Sequence, residues 1–364
     1  MYSRSSHATP RPLNPRLQAF CYGSFLAFLT GWVLFIGRDI FVPIVFSTLV
    51  VYMILGLDRL LGRVPGLGPA LPPTLRFVLA LAVGVAGIAA IGWLVLTYVG
   101  RVAAVAPSYQ ASLLALIQGA AKYIGLSGEP TWETLRQSLF GQVNVQSLIG
   151  TTMLSAKSVL TGAIVVFLYV AFLLIEQRNF SGKIGRVSQD PRNVARVRQV
   201  IARINDRVGA YLALKTFVSV LLGVLSWIAL ALFGVEFAVF WALLIALLNY
   251  IPYIGSFLGV FFPVAWAIVQ FGDLGTVLAI LAALTALQFA IGNFLDPYLM
   301  GNSLNLSPFV ILASLTIWSA LWGIPGAFLA VPITAIIAIV LSEFDGTRAI
   351  AVLLSHDGRL DSDS

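Results

Sequence analysis

Residues 237–271 read FAVFWALLIALLNYIPYIGSFLGVFFPVAWAIVQF, two apolar runs joined by Pro252, Tyr253, Ile254, Gly255 and Ser256. The runs, Phe237 to Ile251 and Phe257 to Phe271, lack the alternation of strands and read as helices. Each is about fifteen residues long and spans only about 22 Å, short of the roughly 30 Å of a bilayer's hydrocarbon. A helical hairpin that enters the membrane from outside and returns is therefore predicted here.

A second such pair follows, Leu304 to Leu321 and Ile324 to Leu341, broken at Trp322, Gly323, Ile324, Pro325 and Gly326. An ordinary span, Leu274 to Ile291, lies between the pairs and reverses the side from which the second one enters. The tips rhyme: Ile254-Gly255-Ser256-Phe257 against Pro325-Gly326-Ala327-Phe328, each followed by a proline, Pro263 and Pro332. Interrupted apolar segments in corresponding positions are the usual sequence mark of a transporter's binding site.

Upstream, Ala19 to Ile36, Ile40 to Leu57, Phe77 to Val99 and Ser158 to Ile175 read as four full spans. The composition agrees, with 59% apolar or aromatic residues and 10% charged ones among 364, far from a soluble domain. Backbone groups in lipid are satisfied within each helix, so the fold class is all-α: a polytopic helical membrane protein with about eight hydrophobic segments, two of them broken or re-entrant hairpins. Cys21 stands alone in the first span and builds no disulfide or metal cluster. Arginines flank that span and no small-residue cleavage site follows it, so it reads as an uncleaved helix.

Basic residues set the orientation. Arg4, Arg11 and Arg16, then Arg59, Arg63 and Arg76, place both flanks of the first two helices, and the N-terminus, on the cytoplasmic side of a bacterial inner membrane. The same parity returns the C-terminus there. The expected organisation is a tail over 1–18, three helices within 19–99, an exported amphipathic segment over 100–157 and a fourth helix over 158–175. A basic cytoplasmic segment over 176–215, a transport unit over 216–347 and a tail over 348–364 complete it. Nine lysines and arginines against three acids give the basic segment +6 of the whole chain's +7. Topology accounts for that charge, with anionic lipid headgroups as its partner and no nucleic acid. Val194, Val197, Ile201, Ile204, Val208 and Tyr211 form a heptad seam inside it. The seam packs either on the protein's own bundle or on another subunit of a homo-oligomer.

From Thr216 to Thr347 there is no lysine or arginine. Asp296 is thus expected to lie near the membrane without a counter-charge, attended by a proton, a sodium ion or a solute, or else to act as an interfacial N-cap before Pro297. Asn249, Gln288, Asn293 and Asn302 add neutral donors and acceptors suited to a hydroxylated solute, or serve as interhelical glue. Glu236 and Asp273 read as solvated boundary charges. Together, Asn249, Pro252, Tyr253, Gly255, Gln288, Asn293, Asp296, Pro297, Trp322, Gly323, Pro325 and Gly326 form the predicted solute or ion pathway.

Enzyme chemistry finds little support. The two histidines, His7 and His356, fall in the polar tails, Asp273 is no buried partner for Asp296, and the glycines from Gly62 to Gly68 are wrongly spaced for a phosphate loop. No catalytic residue, metal or cofactor is expected.

Three strings, Asn249-Tyr250-Ile251-Pro252-Tyr253-Ile254-Gly255, Asn293-Phe294-Leu295-Asp296-Pro297-Tyr298-Leu299-Met300-Gly301 and Leu321-Trp322-Gly323-Ile324-Pro325-Gly326-Ala327-Phe328-Leu329-Ala330-Val331-Pro332, resemble the autoinducer-2 exporter family of bacterial membrane proteins. The resemblance implies export of small polar signals such as autoinducer-2, with some relatives similar to sodium or proton antiporters. It also implies broken hairpins and an oligomeric scaffold. Many relatives carry an acid just before the asparagine of the central motif, where this chain has Ile291-Gly292. A secondary exporter, a sodium/proton antiporter and a non-transporting membrane scaffold are the three functions weighed.

Overall fold

A computed structural model of the chain describes residues 15–63, 71–105, 161–176, 182–183, 185, 190–300 and 304–358. The segment expected to be exported, beyond Val105, together with Arg178, Arg186, Asn302, His7 and the outer parts of both tails, lies outside the described residues. Those described are helical: α1 (Pro15–Ile36), α2 (Arg38–Arg63), α3 (Pro73–Val105), α4 (Thr161–Glu176), α5 (Pro191–Leu232), α6 (Ala238–Leu248), α7 (Ile254–Phe271) and α8 (Leu274–Ala290) come first. A π-helical turn (Ile291–Leu295), α9 (Asp296–Met300), α10 (Pro308–Ser342) and α11 (Arg348–Leu354) complete them. Six are long and apolar enough to cross a membrane, and α1, α4 and α6 add shorter apolar stretches. The chain is a polytopic membrane protein.

From Pro191 on, the predicted basic segment and fifth helix are one element. Asp190 caps α5 by accepting from the Arg192 N–H at 2.9 Å, and Pro191 follows at the first helical position. The helix then runs 42 residues to Leu232, about 63 Å, and stops where Gly234 turns left-handed at φ 70°. The change from charged to apolar residues after Lys215 is chemical and leaves the backbone ladder intact. Gly56 and Gly209 make the crossing of α2 over α5 close, since a Cβ on Gly56 would overlap the Gly209 carbonyl. At the charged end, Arg203 and Arg196 both reach Glu343 after α10, Arg196 also covers the Phe344 ring, and Arg59 pairs with Asp206. These cations are thus cross-links between helices in addition to their expected topological role. The lower part of the heptad seam packs inside the bundle: Ile204 and Val208 join Leu49 and Trp322 in one core, with Tyr211 against them.

The first broken pair forms a helix-turn-helix. α6 has 11 residues, about 16 Å, and α7 packs beside it after the turn Asn249 to Tyr253. Tyr253 holds φ 61°, a costly conformation for a large side chain that must be imposed by its surroundings.

The second pair reverses within α10. Gly323 has φ 65° and ψ −140°, open in practice only to glycine. Trp318 Nε1 then donates to Thr334 Oγ1 at 3.3 Å, although sixteen residues of straight helix would separate them by about 24 Å. The predicted break of five residues is thus concentrated at one; Pro325 occupies the first turn of the returning arm, where it disrupts no ladder bond.

The tips of the two pairs meet. Ile251 packs with Leu315, Ala327 and Ala330, and the Tyr250 and Phe328 rings stack at 6.0 Å. The sequence rhyme has a counterpart in packing: a Cβ on Gly255 would overlap the Leu248 carbonyl, and one on Gly326 the Trp318 carbonyl. Each tip glycine lies against the backbone of its own opposite arm.

Asp273 caps α8, accepting from the Thr276 N–H and hydroxyl, each at 2.8 Å. Those donors, with the Gly275 N–H, hold its carboxyl below the ordinary carboxylate range. Its capping contribution is present above the ordinary carboxylate pKa and fades as pH falls through the lowered value. The boundary charge of the sequence reading is thereby also an N-cap.

Candidate functional site

Between α7, α8 to α9 and residues 304–308 lies a cavity of about 990 Å³. Its wall is largely apolar, with Phe257, Phe261 and Phe289 among the aromatic contributors. Tyr253, Ser256, Thr285, Gln288, Asn293 and Asp296 supply polar groups. An apolar pocket with few convergent polar groups is the usual form of a small-molecule site.

The α8 wall owes its layout to helical spacing and to the π turn. Thr285, Gln288, Gly292 and Asp296 share one face, and Gly292 leaves open space between Gln288 and Asp296. Two side-chain atoms there are buried without a hydrogen-bond partner among the described residues, Gln288 Nε2 and Asp296 Oδ1. One is a donor and the other an acceptor, so a hydroxyl group can satisfy either. Asn293 donates to the Phe289 carbonyl at 3.1 Å and keeps its own carbonyl oxygen as an acceptor.

Asp296 corrects both sequence expectations. It is not an N-cap, because the residues before it are already helical and Asp296 itself has φ −56° and ψ −53°. Nor does it lack a counter-charge. Lys215, one residue outside the cation-free block, reaches it from α5 with Nζ 2.9 Å from Oδ2. The pair is mostly shielded, with side chains 10% and 19% exposed. A lone buried charge would cost several kcal/mol, so each partner makes the other tolerable.

Lys215 belongs to a polar seam on α5 that the sequence reading missed. Tyr211, Lys215 and Ser219 recur every four residues along an otherwise apolar helix, a spacing visible in the sequence. Asn249 Nδ2 donates to Ser219 Oγ at 3.0 Å. Thr216 Oγ1 donates to the Leu212 carbonyl at 2.6 Å, so the Tyr250 hydroxyl, 2.6 Å away, is the donor to Thr216. The first tip is thereby fastened to α5 by two hydrogen bonds. Tyr250→Phe is expected to lower stability by about 1 kcal/mol, read as a reduced unfolding midpoint in detergent.

The predicted pathway residues divide into groups. Pro252, Tyr253, Gln288, Asn293 and Asp296 line the cavity. Asn249 and Gly255 are buried behind it at the first tip, and Pro297 is exposed without lining it. Trp322, Gly323, Pro325 and Gly326 also do not line it: the second tip packs on the first, and Trp322 Nε1 donates to the Leu34 carbonyl of α1 at 3.0 Å. α10 contributes Ile311 and Val331 to the wall instead.

His356, assigned to a polar tail from the sequence, is at the rim of the cavity. Its N–H donates to Asn305, and Ser307 N–H donates to the Leu354 carbonyl. Ala351 of α11 is buried, which anchors this return of the chain.

Residues 22–346 match the model of the family described as "AI-2E family transporter". AI-2 transport protein TqsA of Escherichia coli strain K12 is 36% identical over 210 residues, 57% of this chain and 60% of that protein. A relative in Borreliella burgdorferi is 36% identical over 222 residues, 60% of this chain and 61% of its own. One in Haemophilus influenzae is 32% identical over 223 residues, 61% of this chain and 64% of its own. The chain thus spans about three fifths of the length of these relatives.

Proposed function

The chain belongs to the AI-2E transporter family, and from that premise we propose that it is a secondary transporter exporting small polar organic solutes, signals of the autoinducer-2 kind among them. The observation that carries the reading is a cavity lined by Gln288 and Asp296, whose Nε2 donor and Oδ1 acceptor are buried with no hydrogen-bond partner among the described residues, beside apolar and aromatic surface. A neutral solute with several hydroxyls fits that combination. Purified protein in proteoliposomes, challenged with a panel of hydroxylated metabolites under proton and sodium gradients, is expected to show efflux or counterflow of at least one. Flux of none under any gradient rejects the proposal.

Sodium/proton exchange at Asp296 is the second reading, supported by its free Oδ1. Lys215 already occupies the other oxygen, which weighs against a mobile cation there. If exchange occurs, Asp296→Asn abolishes its pH dependence.

In this reading both termini are cytoplasmic, the two hairpins are re-entrant from opposite leaflets, and the chain works as a homo-oligomer in a bacterial inner membrane. The unit holding both hairpins, 237–341, moves against α1 to α4 as access alternates; its lack of cations suits passage through apolar surroundings. The contact to test joins the second tip to α1, because Trp322 reaches Leu34. With Cys21 replaced, thiols at Leu34 and Trp322 bridged by a short bifunctional reagent are expected to stop transport, relative to the unbridged double variant. Full bridging with undiminished flux rejects the motion.

A further inference from the structure

Resting on the cavity as the solute path, we infer that Lys215 sets the charge class of the solute: it cancels the charge of Asp296 from behind, so the site takes neutral hydroxyl-bearing molecules and refuses free cations and anions. Three observations converge. Asp296 lines the cavity while Lys215 does not, so the carboxylate residue borders the cavity and the ammonium lies behind it. Asp296 Oδ1 is buried and unpartnered, while Oδ2 is held by Lys215 at 2.9 Å. Among the described residues lining the cavity, Asp296 is the one acidic or basic side chain apart from His356 at the rim.

The electrostatics follow from those positions. A cation brought to Oδ1 adds a second positive charge beside Lys215, and nothing on the wall balances it. An anion meets Asp296 first. Both ions would also shed hydration that the wall cannot replace, a cost that grows in low dielectric. A neutral hydroxyl loses little, since it donates to Oδ1 and can accept from Gln288 elsewhere on the same molecule. Lys215 is therefore a specificity-determining residue that acts through Asp296 without touching the solute.

The experiment compares fluxes of ribose, choline and lactate in proteoliposomes containing the full chain, as wild type, Lys215→Gln, Lys215→Arg, Asp296→Asn and the double variant Lys215→Gln/Asp296→Asn. Wild type is expected to favour ribose. Lys215→Gln should raise the choline-to-ribose ratio by roughly tenfold or more, as expected from exposing a formerly compensated charge. Asp296→Asn should raise the lactate-to-ribose ratio in the same measure, whereas Lys215→Arg and the double variant, both neutral overall, should keep the wild-type preference. Structural damage lowers all three fluxes together and leaves the ratios alone, so unchanged ratios in both single variants overturn the inference. Where Lys215→Gln does not fold, the lactate arm of Asp296→Asn decides alone.

Choline-dependent stabilisation of detergent-solubilised protein separates this inference from the transport proposal. A rise in unfolding midpoint with Lys215→Gln but not wild type upholds the charge assignment even if no probe is transported, which would count only against the transport reading. Where no probe is transported, absence of that rise rejects the charge assignment; where probes are transported, unchanged ratios reject it and leave wild-type ribose flux to stand.

Discussion

Gly326→Ala is expected to destabilise the protein by about 3 kcal/mol or more, the upper range for an overpacked core, and to abolish transport. The added methyl would overlap the Trp318 carbonyl oxygen and crowd Trp322 Cβ at 3.1 Å. The obstacle is backbone of the opposing arm, and no rotamer change relieves it. Gly255→Ala meets the same difficulty at the Leu248 carbonyl. Gly259→Ala is the informative contrast, because its methyl would meet Gln288 Nε2 at 3.1 Å, the end of a flexible side chain. It should fold and instead change transport by displacing Gln288. Gly87→Ala, with nothing within 4 Å of its Cβ, controls for generic effects of the substitution. Unfolding midpoints and yields of monodisperse protein measure the series. A Gly326→Ala variant as stable as Gly87→Ala would contradict the close apposition of the two arms.

Single neutralisation of Lys215 or Asp296 is expected to cost roughly 3–5 kcal/mol, the usual effect of stranding one member of a buried pair. Lys215→Met/Asp296→Leu should recover most of that, since an apolar replacement of both is often neutral or stabilising. Denaturant unfolding of the wild type, both singles and the double yields the coupling energy directly. Strict additivity would mean that the contact at 2.9 Å carries no energy. Transport should be lost in the apolar double variant, because a leucine side chain in place of Asp296 offers no acceptor. The double with glutamine and asparagine retains one at that position, so comparing the two separates the fold's need for neutrality from the solute's need for an oxygen.

Much of the architecture was legible because hydrocarbon demands length and apolarity together. α1 to α4 coincide with apolar runs, and the shortness of α6 was legible in the run Phe237 to Ile251, which the helix fills only to Leu248. The break at Gly323 was legible as a cluster of Gly and Pro, though its concentration at one residue was not. The unity of α5 was hidden because a change of composition after Lys215 resembles a boundary, while helix propagation depends on backbone geometry and survives it. Lys215 and Asp296 stand 81 residues apart, and single-sequence spacing carries no signal across such a separation. Gln288, Asn293 and Asp296 line the cavity, whereas the second tip's position against α1 depends on tertiary packing that no local pattern encodes.

The π turn at Ile291–Leu295 winds fewer degrees per residue than the helices on either side of it. It therefore sets the phase between Gln288, before it, and Asp296, after it. Rewinding those five residues to ordinary pitch, with no residue added or removed, would turn Asp296 by about 100° about the helix axis relative to Gln288. The carboxylate would swing away from Lys215, and the face shared with Thr285 and Gly292 would be split. One residue of slack in the backbone thus acts as a phase offset, and removing it would give a rotational setting in which Gln288 and Asp296 no longer share one face.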